Sequence, residues 1–177
     1  MASFLNSAEK GINRYWENRI SFEGIPTKQT AQLISLNAFV KSMRTLLGYL
    51  EKYKVINLNW NSQDELDTCI QSICYITNYI WDEIKNKWNE LFDSDIEKRR
   101  ILQGSIGFSS INRFIVLNLK RKNIDMSIDE FLNEVAVWIR AINHTSVDWL
   151  PGESFSKYSS ESGFSIVAQE LLDGMKM

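Results

Sequence analysis

SQDELDTCIQSICYITNYIWDEIKNKWNELF, Ser62 to Phe92, decides the fold. Its apolar residues recur at spacings of three and four: Leu66, Ile70, Ile73, Ile80, Ile84, Trp88 and Leu91, with Thr77 completing the row. That is one face of an α-helix. Ser62 followed by Glu65 is a capping box, in which hydroxyl and carboxylate each satisfy a free backbone N–H. A stripe about eight turns long predicts a central core helix running to Phe92. Trp81 lies beside the stripe and widens it.

The same spacing recurs on both sides of this stretch. Leu33, Leu36, Val40, Met43, Leu47 and Leu50 predict a helix over residues 29–53. Leu5, Ala8, Ile12 and Trp16 predict an amphipathic helix in the first twenty residues. Between them, Ile20 and Phe22 alternate like a short extended piece before Gly24 and Pro26 break the chain. Downstream, a linker carries a short helix near Ile96–Leu102. A helix over Ser109–Lys122 groups Ile111, Phe114, Ile115, Asn118 and Leu119. Ser127 and Glu130 form a second capping box, opening a helix over Ile128–Asn143 with Phe131, Val135, Trp138, Ile139 and Ile142 on its apolar face.

The C-terminal stretch from Trp149 to Leu172 predicts a closing structure. Trp149 and Leu150 anchor one end, and a last short helix carrying Phe164, Ile166, Val167, Leu171 and Leu172 anchors the other. Between them ESFSKYSSES reads as solvent-facing and mobile. Gly-Phe-Ser occurs twice at a helix entry, in the stretches starting at Ser105 and Ser162. Glycine permits a tight turn, Phe packs back as a staple, and Ser can cap. The expected fold is therefore all-α: one domain over 1–177, a bundle of five to six helices around a long central one, with little or no sheet.

A chain of 177 residues can bury about 70% of the surface its unfolded form exposes, so it needs neither disulfide nor metal for a core. Its 20 basic and 22 acidic residues give a net charge of −2. That excludes nucleic-acid binding by bulk charge and leaves room for a local basic patch. Cys69 and Cys74 stand five residues apart, about 140° around a helix, and are poor disulfide partners. Two buried thiols in a reducing compartment are expected. The N-terminus lacks a basic-then-apolar signal, and no apolar run approaches the roughly 20 residues that span a bilayer, so a cytoplasmic location and no membrane contact are expected.

No complete catalytic, phosphate-loop or zinc motif is present, and no cofactor is implied. Asp93, Asp95 and Glu97 read as helix-start charges rather than metal ligands. His144, the single histidine, has Asp148 four residues on and is half of a potential acid–base pair, with Ser154, Ser156 or a later serine as candidate nucleophile. No nucleophile elbow accompanies them. The bland alternative is a histidine bonded to carbonyls at a helix C-terminus. Two basic runs, Lys98-Arg99-Arg100 and Lys120-Arg121-Lys122, are candidates for phosphate contact, with Lys28 as an outlier. Trp138, Trp149, Phe155 and Tyr158 are candidates for an aromatic ligand pocket, although aromatics at such spacing usually form core.

Four phrases occur in an order that resembles DGQHR-domain proteins: YITNYIWDEIKNKWNELFDS, ILQGSIGFSSINRFI, FLNEVAVWIRAINHTSVDWLPGESFS and GFSIVAQELL. Together they cover about residues 65 to 172, the helical C-terminal half of that family. The family includes regulators associated with DNA phosphorothioation, many of them in mobile defence islands. Its Asp-Gly-Gln-His-Arg motif belongs to an N-terminal α/β part and is not found in this sequence, so no site residue carries over. The resemblance implies a non-catalytic helical module for contact with a protein or DNA partner, in DNA modification or phage defence. A small enzyme using His144 and Asp148, or a ligand sensor with an aromatic pocket, are the alternatives.

Overall fold

The structure, a computed structural model, describes residues 1–2, 15–27, 30–92 and 95–175. They are mostly helical, as the apolar spacings require, with six α-helices and one small parallel sheet. β1 (Ile20–Ser21) pairs with β2 (Ile34–Ser35), Ile20 opposite Ile34. Ser35 then caps α1 (Leu36–Lys52), its hydroxyl accepting the Ala38 N–H at 3.3 Å. This helix was expected from residue 29. Strand pairing keeps the chain extended until the cap. The buried stripe is Phe39, Met43, Leu46 and Leu50, so Leu36 and Leu47 lie on its flank and Val40 faces solvent. The expected helix through Leu5, Ala8 and Ile12 lies outside the described residues, while Trp16 is fully buried.

α2 (Gln63–Lys87) is the long helix of the sequence reading. Ser62 Oγ accepts the Glu65 N–H at 3.2 Å. The Glu65 carboxylate reaches the N–H of Asn61, not of Ser62. The helix stops before Phe92 because Trp88 leaves helical geometry (φ −131°, ψ 53°), and a 3-10 turn over Asn89–Leu91 follows. Trp88 and Leu91 stay buried across that break, which is why their spacing reads as continuous helix.

α3 (Ile96–Arg99) is a single turn capped by Asp95. α4 (Ser105–Lys122) starts four residues before the expected Ser109 and packs against α1. α5 (Ile128–Ala141) packs on α2 and opens with a complete capping box from Ser127 and Glu130. It ends before Asn143, because Ile142 turns extended and forms an antiparallel bridge with Met175. α6 (Glu161–Asp173) covers the other side of α4. Eleven of the 18 residues of α4 are buried, against eight of 25 in α2, so α4 is the more enclosed helix. It carries polar residues into the core, and two of them are hydrogen-bonded through their side-chain amides while the Ser110 hydroxyl is buried without a partner among the described residues. Asn112 Nδ2 donates to Ser42 Oγ at 2.9 Å, and Asn118 Nδ2 to the Phe114 carbonyl at 3.0 Å.

The two Gly-Phe-Ser steps share one geometry. Each glycine lies in the first turn of its helix, and in both cases the residue five positions upstream folds back onto it. A Cβ at Gly107 would stand 2.0 Å from the Leu102 carbonyl oxygen; one at Gly163 would stand 3.0 Å from Tyr158 Cβ. The following Phe is buried at both sites. The serines of the steps do not cap: Gly104 precedes α4, and Ser160 caps α6 by accepting the Gly163 N–H at 3.2 Å.

The closing loop departs from its expectation at its middle. Glu153, Ser154 and Lys157 face solvent, but Phe155 is fully buried against Trp149, at 4.6 Å between ring centroids. Most of the buried apolar residues, from Tyr15 to Leu172, form one connected core. Among the described residues no helix is long and apolar enough to cross a membrane.

Candidate binding surface

His144 and Asp148 do meet, in the turn after α5. His144 Nδ1 lies 3.4 Å from Asp148 Oδ2, and Nε2 lies 3.3 Å from the carbonyl of Glu170 in the last turn of α6. Both ring nitrogens face acceptors inside the fold. The ring rests on Phe155, at 5.0 Å between centroids, and Trp88 Nε1 donates to the His144 carbonyl at 3.1 Å. Asn143 N–H donates to the Gly174 carbonyl at 2.9 Å, so the whole turn is fastened to the end of α6. The helix end involved belongs to α6 rather than to the helix that precedes the histidine.

Asp148 is committed as well. It accepts the Thr145 N–H at 3.0 Å in a capping box over the 3-10 turn Ser146–Trp149. Burial pushes its carboxyl up, but the Thr145 N–H, the Ser154 hydroxyl and His144 outweigh that and hold it below the usual carboxylate value. Ser154 is close enough to Asp148 to help lower its carboxyl, and Ser156 Oγ donates to the Glu153 carbonyl at 2.7 Å. A cleft of about 400 Å³ opens beside His144, lined also by Lys87, Glu90 and Arg140. Each ring nitrogen faces an acceptor of the fold, and a neutral imidazole, with one N–H, donates to one of the two at a time. The group acts as a clasp.

The four aromatic candidates are largely taken up in packing within the fold. Trp149 and Phe155 join Trp88 in a closed cluster, with Trp88 and Trp149 at 5.3 Å. Trp138 packs on Phe131 in α5. Tyr158 is half-buried and donates to the Glu170 carboxylate at 3.1 Å. Their bulk is core packing, as aromatic rings at this spacing usually are.

A different cleft, about 580 Å³, lies at the start of α2, between Asn57, Asn59, Asn61, Asp64 and Ile128. Its volume falls in the range of small-molecule sites, about 300–1,000 Å³. Most of its polar groups are already bonded within the chain: Asn59 Nδ2 to Glu51, Thr68 Oγ1 to the Asp64 carbonyl, Ser72 Oγ to the Thr68 carbonyl. Cys69 is half-buried here, not fully as expected, and Sγ donates to the Asn57 carbonyl at 3.4 Å. Burial pushes both thiols up, Cys69 with help from Glu51, so neither is a ready thiolate nucleophile at neutral pH. Both cysteines are free. Among the described residues no group of three His, Cys, Asp or Glu could hold a metal ion.

The two basic runs sit before and at the far end of α4, whose 18 residues span about 27 Å. They do not act as one block. Arg100 is clamped to Glu97 (2.6 Å), and its terminal nitrogens donate to the Thr30 and Gln32 carbonyls, both at 3.4 Å. Lys120 stands over the Tyr49 ring at 4.8 Å, and Lys122 pairs with Glu134 at 2.8 Å. Lys98 and Arg121 are exposed, and among the described residues neither has a carboxylate partner. Lys28 and Asp93 lie outside the described residues.

Arg99 is the surprise of the first run. It is half-buried, 5.7 Å from the Phe92 ring, and its Nε is sealed from solvent with no hydrogen-bond partner. Burial pushes its guanidinium pKa down, and nearby Arg19 pushes it further. Arg19 itself donates to the Ala31 carbonyl at 3.2 Å. Sequence reasoning missed Arg19: a lone arginine 80 residues from its neighbour carries no local signal. No protein-family description, curated protein or solved structure matches this chain.

Proposed function

We propose that this chain is a non-catalytic helical interaction module that contacts DNA through a small set of uncompensated cations. The observation that carries the reading is the state of the two basic runs: Lys98, Arg99, Lys120 and Arg121 have no carboxylate partner among the described residues, whereas Arg100 and Lys122 each hold one. Cations left open on a chain of net charge −2 suit a few separate phosphate contacts better than a broad electrostatic footprint. The engagement of His144 and of Asp148 with groups of the fold weighs against the acid–base reading. The DNA-modification or defence setting follows from the family resemblance alone. Two free thiols fit a reducing, cytoplasmic location.

The test is fluorescence anisotropy with a labelled oligonucleotide at low salt. Binding should be weak, and affinity should fall steeply with salt along a slope of about two to four phosphates. Lys98→Glu together with Arg121→Glu should weaken it at least tenfold, while His144→Ala should leave it within twofold. Absence of binding by the unaltered protein at low salt would remove DNA as the partner. Loss of some substrate turnover in His144→Ala, with binding intact, would favour the enzyme.

A further inference from the structure

We propose that the cleft at the start of α2 binds a neutral, hydroxyl-rich ring, a saccharide or a nucleoside. Three elements build it: the loop after α1, the first turns of α2, and Ile128 at the start of α5. In the loop every second residue lines the cleft, Asn57, Asn59 and Asn61, which is the period of extended chain. Three carboxamides therefore stand in one row. Val55, Ile56 and Ile128 supply an apolar wall.

The row is fixed before any ligand arrives. Asn59 N–H donates to Asn57 Oδ1 at 2.9 Å, and Asn61 N–H to the Glu65 carboxylate at 2.6 Å. Cys69 Sγ ties the helix to the loop through the Asn57 carbonyl. These internal bonds spend some groups and leave others. Asn57 uses its side-chain oxygen and keeps Nδ2; Asn59 uses Nδ2 and keeps its oxygen. The Asn61 carboxamide has no partner among the described residues and offers both. Thr68 and Ser72 spend their protons on helix carbonyls, and their oxygens remain acceptors.

That inventory selects the ligand. Amide donors and a larger set of acceptors share one cleft. The carboxylates of Asp64 and Glu65 line it, and no Lys, Arg or His of the described residues does. A phosphate or a carboxylate would meet like charge with no cation to offset it. An amine cation would satisfy the acceptors and set its own N–H groups against the amide donors. A hydroxyl both donates and accepts, so a ring bearing several of them answers both kinds of group and lays its C–H face on the apolar wall. The volume of about 580 Å³ has room for such a ring. The amides are exposed, so binding should be weak, in the millimolar range. The site shares no residue with the basic runs and stands whether or not DNA binds.

Sugars also stabilise folded proteins by exclusion from their surface, so a melting temperature is a poor readout. Cys69 gives a local one. It lines the cleft and is half-buried, whereas Cys74 is buried. At mildly alkaline pH, where the raised Cys69 thiol begins to ionise, iodoacetamide should label it first. The full chain is labelled alone and with glucose, galactose, adenosine or uridine at millimolar concentration, and then with their monophosphates. At least one neutral compound should slow labelling of Cys69 threefold or more, and its monophosphate should not. Asn61→Ala, which costs the fold no side-chain bond among the described residues, should erase that protection. Gln71→Ala, exposed on α2 outside the cleft, should retain it. Protection by sugars alone identifies a saccharide as the ligand, and protection by nucleosides alone a nucleoside. No protection by any of the four, equal protection by the monophosphates, or protection that persists in Asn61→Ala would overturn the site.

Discussion

At Asp148 burial and hydrogen bonding pull in opposite directions, and hydrogen bonding wins. The carboxyl is held below its ordinary value, so its ionised form stabilises the fold. The sign follows: that contribution is present above the unfolded pKa, near 4, and is lost as pH falls through the lower folded value. Asp148→Ala removes the cap of the 3-10 turn and the partner of His144 Nδ1. It should cost about 1–2 kcal/mol at pH 7, as loss of a cap does. Urea unfolding at pH 7 and at pH 3 should show the gap narrowing in acid; a gap that widens would mean the carboxylate is not the stabilising form. The i, i+4 spacing made this half of the clasp legible in the sequence. The Glu170 carbonyl on the other nitrogen is 26 residues away and left no mark.

Helices α4 and α6 show one device at two strengths. An internal helix glycine normally gains about 1 kcal/mol on replacement by alanine. Here the returning chain occupies the space a methyl would need. At Gly107 the obstacle is the Leu102 backbone, which cannot yield; a Cβ would also stand 2.5 Å from Leu102 Cα. At Gly163 the nearest atoms are 3.0–3.1 Å away, on Tyr158. Gly107→Ala should therefore destabilise by about 3 kcal/mol or more, and Gly163→Ala by at most about 1 kcal/mol. Thermal melts of the two single variants should rank in that order, and equal melting points would refute the difference in backing. The repeated Gly-Phe-Ser was visible in the sequence, but its reason was not. The serines suggested capping, whereas the operative contact is the fold-back five residues upstream.

On the scale of the whole molecule, α4 lies between α1 and α6, and α2 with α5 completes the bundle. Apolar periodicity gave the helical class and the long α2 stripe directly, because an element with one exposed side must alternate. The same signal under-read α4. A helix enclosed on most sides has no polar face to contrast, and Ser109, Ser110, Asn112 and Asn118 interrupt its apolar run although all four are buried. That enclosure makes α6 structural. Phe164, Val167, Leu171 and Leu172 cover α4 and are buried, and α6 is also fastened at both ends. At its start, Lys41 from α1 pairs with Glu161 at 2.8 Å and Arg113 from α4 also holds Glu161; at its end, the His144 clasp closes on Glu170. A chain cut after Pro151 loses these four side chains and Phe155. At about 1.5–3 kcal/mol each, the four alone represent roughly 6–12 kcal/mol as an upper bound. That is comparable with the entire stability of a typical domain, about 5–15 kcal/mol. The truncated chain should therefore be insoluble or lack a cooperative melt, with helical circular dichroism well below that of the full chain. A surface loop and helix that only served a partner would leave the melting temperature unchanged, and that result would show the closing structure to be dispensable. Charge reversal at one end, Glu161→Lys, is the milder companion. It sets a third cation against Lys41 and Arg113 while sparing the apolar face, so the melting temperature should fall by several degrees without loss of cooperativity.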